Sequence, residues 1–220
     1  MNKKIESREL DLVSVVFIFD PNKQPKALSG DDIAKVEQKL DERFQLGQVA
    51  GPSGLGVQIA IPRRQIDINF YPDRIETRSQ SPQLDENVAE QMMRLFDGIV
   101  PNPDDFSWRS AGYNYILRVN AEEPIVARLK KAILKPVLEK RLHRNVIGLT
   151  PWIWVESGEA TLWLRLEPYP PGDILTTRLS VNANFSISLA TGKLLSGNVH
   201  KDRLIKFRGE LDQILEALGL

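Results

Sequence analysis

Cysteine is absent from this 220-residue chain, which removes disulfides, thiolate nucleophiles and zinc–thiolate centres together. Histidine is scarce: His143 and His200 stand far apart, and neither falls at a metal-ligand spacing. An excess of one charge is missing too. Twenty-nine basic residues balance twenty-nine acidic ones, so no global field draws the chain to nucleic acid or to an anionic membrane. No apolar run reaches the ~18 residues of a membrane span. The charged opening, Met1 to Asp11, has no signal-peptide core ahead of the short strand Leu12 to Phe19. A reducing, cytoplasmic setting is the expectation.

Catalytic patterns are missing as well. No nucleophile elbow of the G-x-S-x-G kind occurs. Gly51-Pro52-Ser53-Gly54-Leu55-Gly56 leads into a strand and lacks a Gly-Lys-Ser/Thr ending, so it reads as a helix-to-strand connection rather than a phosphate loop. Asp31-Asp32 falls at a predicted helix start, where the dipole favours acids. Asp104-Asp105 sits in the Pro101-Asn102-Pro103 linker with no third ligand at metal spacing. His143, inside Lys140 to Arg144, reads as a solvated helix end, and His200 as a cap or surface residue of the last helix. The sequence therefore assigns no catalytic residue, no metal ligand and no cofactor, and a non-enzymatic protein is the expectation. The alternative, an enzyme, requires a cleft between the halves that sets His143 or His200 within hydrogen-bond reach of an acid and a nucleophile.

Regular elements are plentiful. Leu12 to Phe19 is a continuous apolar run, predicted to be a central strand buried on both faces. Ile33, Val36, Leu40 and Phe44 recur at helical spacing until Gly47, with Ser29 and Asp32 as a weak capping pair. Leu55 to Ile61 and Ile66 to Phe70 alternate as strands around Pro62-Arg63-Arg64. Arg74 to Arg78 follows as a polar strand, predicted to be an edge. Val88, Met92, Leu95, Phe96 and Ile99 line a second helix. The chain then runs through a strand from Arg109 to Val119 and a helix capped by Asn120, with Val126, Leu129, Ile133 and Val137 on its buried face and Pro136 as a break. A hairpin follows, then the alternating strand Leu175 to Ile187, and a helix carrying Leu204, Phe207, Leu211, Ile214 and Leu218.

Both halves read strand, helix, three strands, helix. The predicted class is α+β: two topologically similar β-α-β-β-β-α halves, residues 1–103 and 104–220, mainly antiparallel, with helices on one face of the sheet. That order resembles tandem helix-on-sheet folds such as the saddle of the TATA-box-binding protein. The resemblance is one of topology alone, since no sequence motif of that family is present.

The hairpin Thr150 to Glu167 is the most unusual segment. Ile153 and Val155 alternate with Trp152 and Trp154; Leu162, Leu164 and Leu166 alternate with Thr161, Trp163 and Arg165. A two-residue turn at Ser157-Gly158 sets Trp152 across from Trp163 and leaves three indoles on the face away from the leucines. A three-residue turn, Ser157 to Glu159, instead carries Trp152 and Trp154 into the core. On the first register, Trp152, Trp154, Trp163, Arg165, Arg178, Asn182 and Asn184 form the predicted binding surface, with Asn114 and Arg118 nearby. Tryptophan on such a face suits a protein interface, with another chain or with a second copy as a homo-oligomer. Stacked rings beside Arg and Asn also suit single-stranded nucleic acid or carbohydrate. The neutral total charge, and Asp67 and Glu76 among the corresponding first-half residues, weigh against a phosphate track.

Overall fold

In a computed structural model, residues 5–20, 30–100, 107–133, 150–173, 175–189 and 192–220 are described. The elements in chain order are β1 (Ile5–Phe19), α1 (Gly30–Leu40), β2 (Gln45–Gly51), β3 (Gly54–Ile61), β4 (Ile66–Phe70), β5 (Arg74–Ser79) and α2 (Glu86–Ile99). They continue with β6 (Trp108–Ala121), α3 (Ile125–Ile133), β7 (Trp152–Ser157), β8 (Ala160–Pro168), β9 (Arg178–Ser188) and α4 (Gly197–Ala217). Among the described residues, the strands form one nine-stranded antiparallel sheet in the order β2-β3-β4-β5-β1-β6-β9-β8-β7. The class is α+β, and the sheet runs unbroken across the boundary at residues 103 and 104 because β1 pairs with β6.

Alternation sets which face each strand buries. Val13, Val15 and Phe17 on β1 align with Tyr115, Tyr113 and Ala111 on β6, and all six are buried. The row continues through Phe185 on β9 to Leu162 on β8. Helices α2 and α4 cover this side. Phe17 meets Phe96 of α2 at 4.5 Å, and Phe185 stacks on Phe207 of α4 at 4.5 Å with the rings 7° from parallel. The Tyr115 hydroxyl donates to the Leu204 carbonyl at 2.7 Å, so a buried phenol is satisfied by the helix above it. Asp85 caps α2 by accepting from the Val88 N–H at 2.8 Å.

Several local expectations change. Helix α1 stops at Leu40 rather than Gly47, because Asp41 takes a left-handed conformation (φ 53°) and the Glu37 carboxylate accepts from the Phe44 N–H at 2.7 Å. Phe44 therefore lies beyond the helix, and the next residues form β2. The glycine-rich segment at Gly51 is not a helix-to-strand connection but the hairpin turn between β2 and β3. β5 is an interior strand between β4 and β1, not an edge. Its charged residues Arg74, Glu76 and Arg78 lie on the open face, where Arg78 Nε donates to Asp67 at 2.5 Å, while Thr77 and Ser79 are buried on the same face as Ile75. Asn120 caps no helix. It sits within β6 and donates to the Ser7 hydroxyl at 2.8 Å. β9 begins at Arg178 and leaves Leu175 exposed, because the Thr176 hydroxyl donates to the Tyr169 carbonyl at 2.6 Å and turns the chain first. β1 is central as expected, but Val16 and Ile18 on its open side are only half-buried. The expectations for Ser29, Asp104-Asp105, Pro136, Val137 and His143 lie outside the described residues.

Candidate functional site

The two-residue turn of the tryptophan hairpin falls at Gly158-Glu159, one residue later than the sequence implied. Gly158 there has φ +55°, which costs glycine little. The shift moves the register by two residues, so that Trp154 faces Trp163, Trp152 faces Arg165 and Val155 faces Leu162. A two-residue slip preserves parity. The three indoles consequently stay on the face opposite the helices, with Trp152 61%, Trp154 68% and Trp163 51% exposed, while Leu162, Leu164 and Leu166 are buried. The register that would have sent the indoles into the core is not adopted.

Cross-strand rows organise this face. One row runs Ser14, Asn114, Asn184, Trp163, Trp154 across β1, β6, β9, β8 and β7. The Asn184 amide donates to Asn114, and the Asn114 amide donates to Ser14 at 3.1 Å, so a side-chain ladder leads up to the rings. The next row runs Leu12, Ile116, Asn182, Arg165, Trp152. The Arg165 guanidinium lies 5.5 Å from the centre of the Trp152 ring, within cation–π range, and holds Glu167 at 2.8 Å. Trp154 and Trp163 sit 6.0 Å apart, tilted by 54°. Half-buried Leu12, Ile116, Val16 and Ile18 extend an apolar band toward the centre of the sheet.

The structure thus brings together Trp152, Trp154, Trp163, Arg165, Asn182 and Asn184. It leaves Arg178 apart: that residue stands two same-face positions beyond Asn182 along β9, in the row of Asn120 and Ser7. Asn184 is committed to the internal ladder, whereas Asn182 is exposed beside Arg165. Arg118 is paired with Asp11 at 2.9 Å. On the first-half side, Asp67 is held by Arg78 and Asn69; burial nevertheless pushes its carboxyl above the usual range, with Arg78 opposing. The guanidinium groups at positions 78, 118 and 165 are each matched by a carboxylate.

A second polar cluster lies on the other side of the sheet. His200 is not a surface residue: it is 1% exposed in the first turn of α4, with Nδ1 2.6 Å from the Tyr113 hydroxyl and its ring edge-on to Phe17 at 4.8 Å. Burial, with Arg203 beside it, pulls its pKa down to about 4; burial pushes Tyr113 up to about 12. Arg203 Nε donates to Glu159 at 3.0 Å and a second bond from the same guanidinium completes a fork. Glu159 is in the hairpin turn and Ser157 also bonds Glu210, so α4 clamps the tip of the tryptophan hairpin. The signal for His200 was its spacing with Leu204, Phe207 and Leu211, which share the buried stripe.

Among the described residues no His, Asp and Glu side chains are grouped to hold a metal ion, and no helix is long and apolar enough to cross a membrane. Concavities of about 30 and 320 Å³ lie beside α1, away from the indoles. A comparison with protein-family models finds no match, and a search of curated protein sequences finds none either.

Proposed function

We propose that this chain is a non-enzymatic binding or assembly protein of the cytoplasm. Two topologically similar halves, residues 1–103 and 104–220, form its scaffold, and the second half presents an aromatic sheet face to a second copy or another protein chain. The observation that carries this reading is the exposure of Trp152, Trp154 and Trp163 together on one face of the sheet. Large aromatic patches with a polar rim are typical of interfaces. Covering the open part of one indole removes on the order of 100 Å² of apolar surface from water, which stabilises a contact by about 2–3 kcal/mol. Arg165 and Asn182 supply the rim.

Nucleic acid is the weaker reading of the same face. Arg118 and Arg165 are each neutralised by a neighbouring carboxylate, so a phosphate would have to displace Asp11 or Glu167. Carbohydrate stacking makes no such demand and is the remaining alternative.

Light scattering and acrylamide quenching test the reading. Trp108 is buried in the core and serves as the protected reference. In the assembled parent, the hairpin indoles should be shielded from quencher. The Trp154→Ala, Trp163→Ala double variant should fall to a smaller mass with its fold intact. An assembly of unchanged size, with the rings already open to quencher in the parent, overturns it.

A further inference from the structure

We infer that β7 is an open seam at which a second copy of this chain joins the sheet, β7 against β7, about a two-fold axis normal to the sheet. This rests on the aromatic-face reading and specifies its partner and register. β7 is the last strand of the sheet among the described residues, so one side of its backbone pairs with β8 and the other points outward. Such edges are commonly blunted by a lysine, a proline or a bulge. Trp152–Ser157 carries none of these: its one ionisable residue is Glu156, and its ladder with β8 runs without a register shift. The opposite edge, β2, is the poorer template, because Gly47 and Gly51 interrupt it.

The sequence of β7 is complementary to itself in one register. Directly opposed residues of an antiparallel ladder share a face, so an axis through Trp154 pairs Trp154 with its own copy, Ile153 with Val155, Trp152 with Glu156, and Pro151 with Ser157. Each pairing is chemically matched. Toward the helices, half-buried Ile153 and Val155 of the two copies close over each other and continue the apolar layer. On the open face the two Trp154 rings meet, an aromatic cross-strand pair of the favourable kind. Glu156 of one copy approaches Trp152 of the other, the ring over which Arg165 lies at 5.5 Å. A carboxylate therefore reaches a guanidinium-capped indole on each side of the axis. Neighbouring registers are worse. The backbone groups of Trp152, Trp154 and Glu156 face the open edge, since Pro151 bonds toward β8 through Leu166. An axis at Ile153 sets Glu156 against Thr150, outside the strand, and an axis at Val155 sets Trp152 against the Gly158 turn. The axis direction keeps both helix layers on one side and merges the indoles of the two copies into one platform.

The absence of cysteine makes the register directly measurable in the full chain. Opposed residues on the axis lie within disulfide reach, whereas single thiols two positions away do not meet their own copies. Under mild oxidation, Trp154→Cys is expected to form a covalent dimer at least about tenfold faster than Trp152→Cys or Glu156→Cys alone. An equal mixture of the Trp152→Cys and Glu156→Cys proteins is expected to cross-link with each other. The parent should scatter as a dimer, and Trp154→Lys as a monomer with unchanged circular dichroism and Trp108 emission. A monomeric parent overturns the seam. A dimer that dissociates in the Trp154→Ala, Trp163→Ala variant but gives no cross-link from Trp154→Cys overturns the seam and leaves the aromatic-face reading standing. A dimer indifferent to both changes overturns the two together.

Discussion

Among the described residues, His200 carries the clearest pH dependence. In the unfolded chain it takes a proton near its ordinary value of about 6.5; in the fold, burial and Arg203 hold it neutral down to about 4. Between those values the unfolded state binds the proton and the folded state does not, so stability drains away as pH falls through that window and levels off below it. At about 1.4 kcal/mol per unit, the loss is on the order of 3 kcal/mol. Arg203 and Glu159 face the ring, and Tyr113 accepts or donates at Nδ1. Urea midpoints at pH 7 and 4.5 should therefore drop more for the parent than for His200→Gln; equal drops would show that the ring does not govern the acid limb. Tryptophan parity was legible in the sequence because alternation survives a two-residue slip. The role of His200 was not: polarity suggested a surface position, and its place on the buried stripe of α4 was the only contrary sign.

Among the elements, the hairpin turns divide by what a side chain would meet. Gly158 has open space around it, so Gly158→Ala is penalised by its positive φ alone, roughly 1–2 kcal/mol. Gly56 has an ordinary backbone, but a Cβ there would stand 2.2 Å from the Phe70 carbonyl oxygen and 2.9 Å from the Tyr71 ring. That carbonyl belongs to β4, paired with β3 through Val57 and Phe70, and cannot retreat without opening the ladder. Gly56→Ala should thus cost about 3 kcal/mol or more, seen as the larger shift in denaturant midpoint. Two other glycines, Gly47 and Gly51, explain why β2 was illegible. Gln45 to Gly51 has no alternation to read and two glycines that weaken any strand signal, while Ile33, Val36, Leu40 and Phe44 kept helical phase past the true end at Leu40. β5 misled in a different way. An interior strand whose outer face is polar shows the same alternation as an edge strand, and only its neighbours tell them apart.

At the scale of the whole molecule, the decisive contact is β1 against β6, since it makes one sheet from both halves of the chain. Nothing local encodes that pairing: both strands are apolar, long and separated by most of a hundred residues, which is why the class and the helix-covered face were legible and the strand order was not. Phe17 stands at the joint. It is fully buried, packing on Phe96 of α2 at 4.5 Å, Trp108 of β6 at 5.9 Å and His200 of α4 at 4.8 Å. Removing its ring empties a space that α2 and α4 border together, and Phe17→Ala should cost about 3–5 kcal/mol. Because the ring touches elements from both halves, the loss should lower one transition rather than split it. Trp108 emission, hairpin-tryptophan quenching and far-ultraviolet circular dichroism are expected to move together to a lower denaturant midpoint. A hairpin signal that kept the parent midpoint while the dichroism shifted would mean that β7 and β8 are held by α4 alone, through Glu159 and Ser157, and that the sheet does not transmit stability across the β1–β6 ladder.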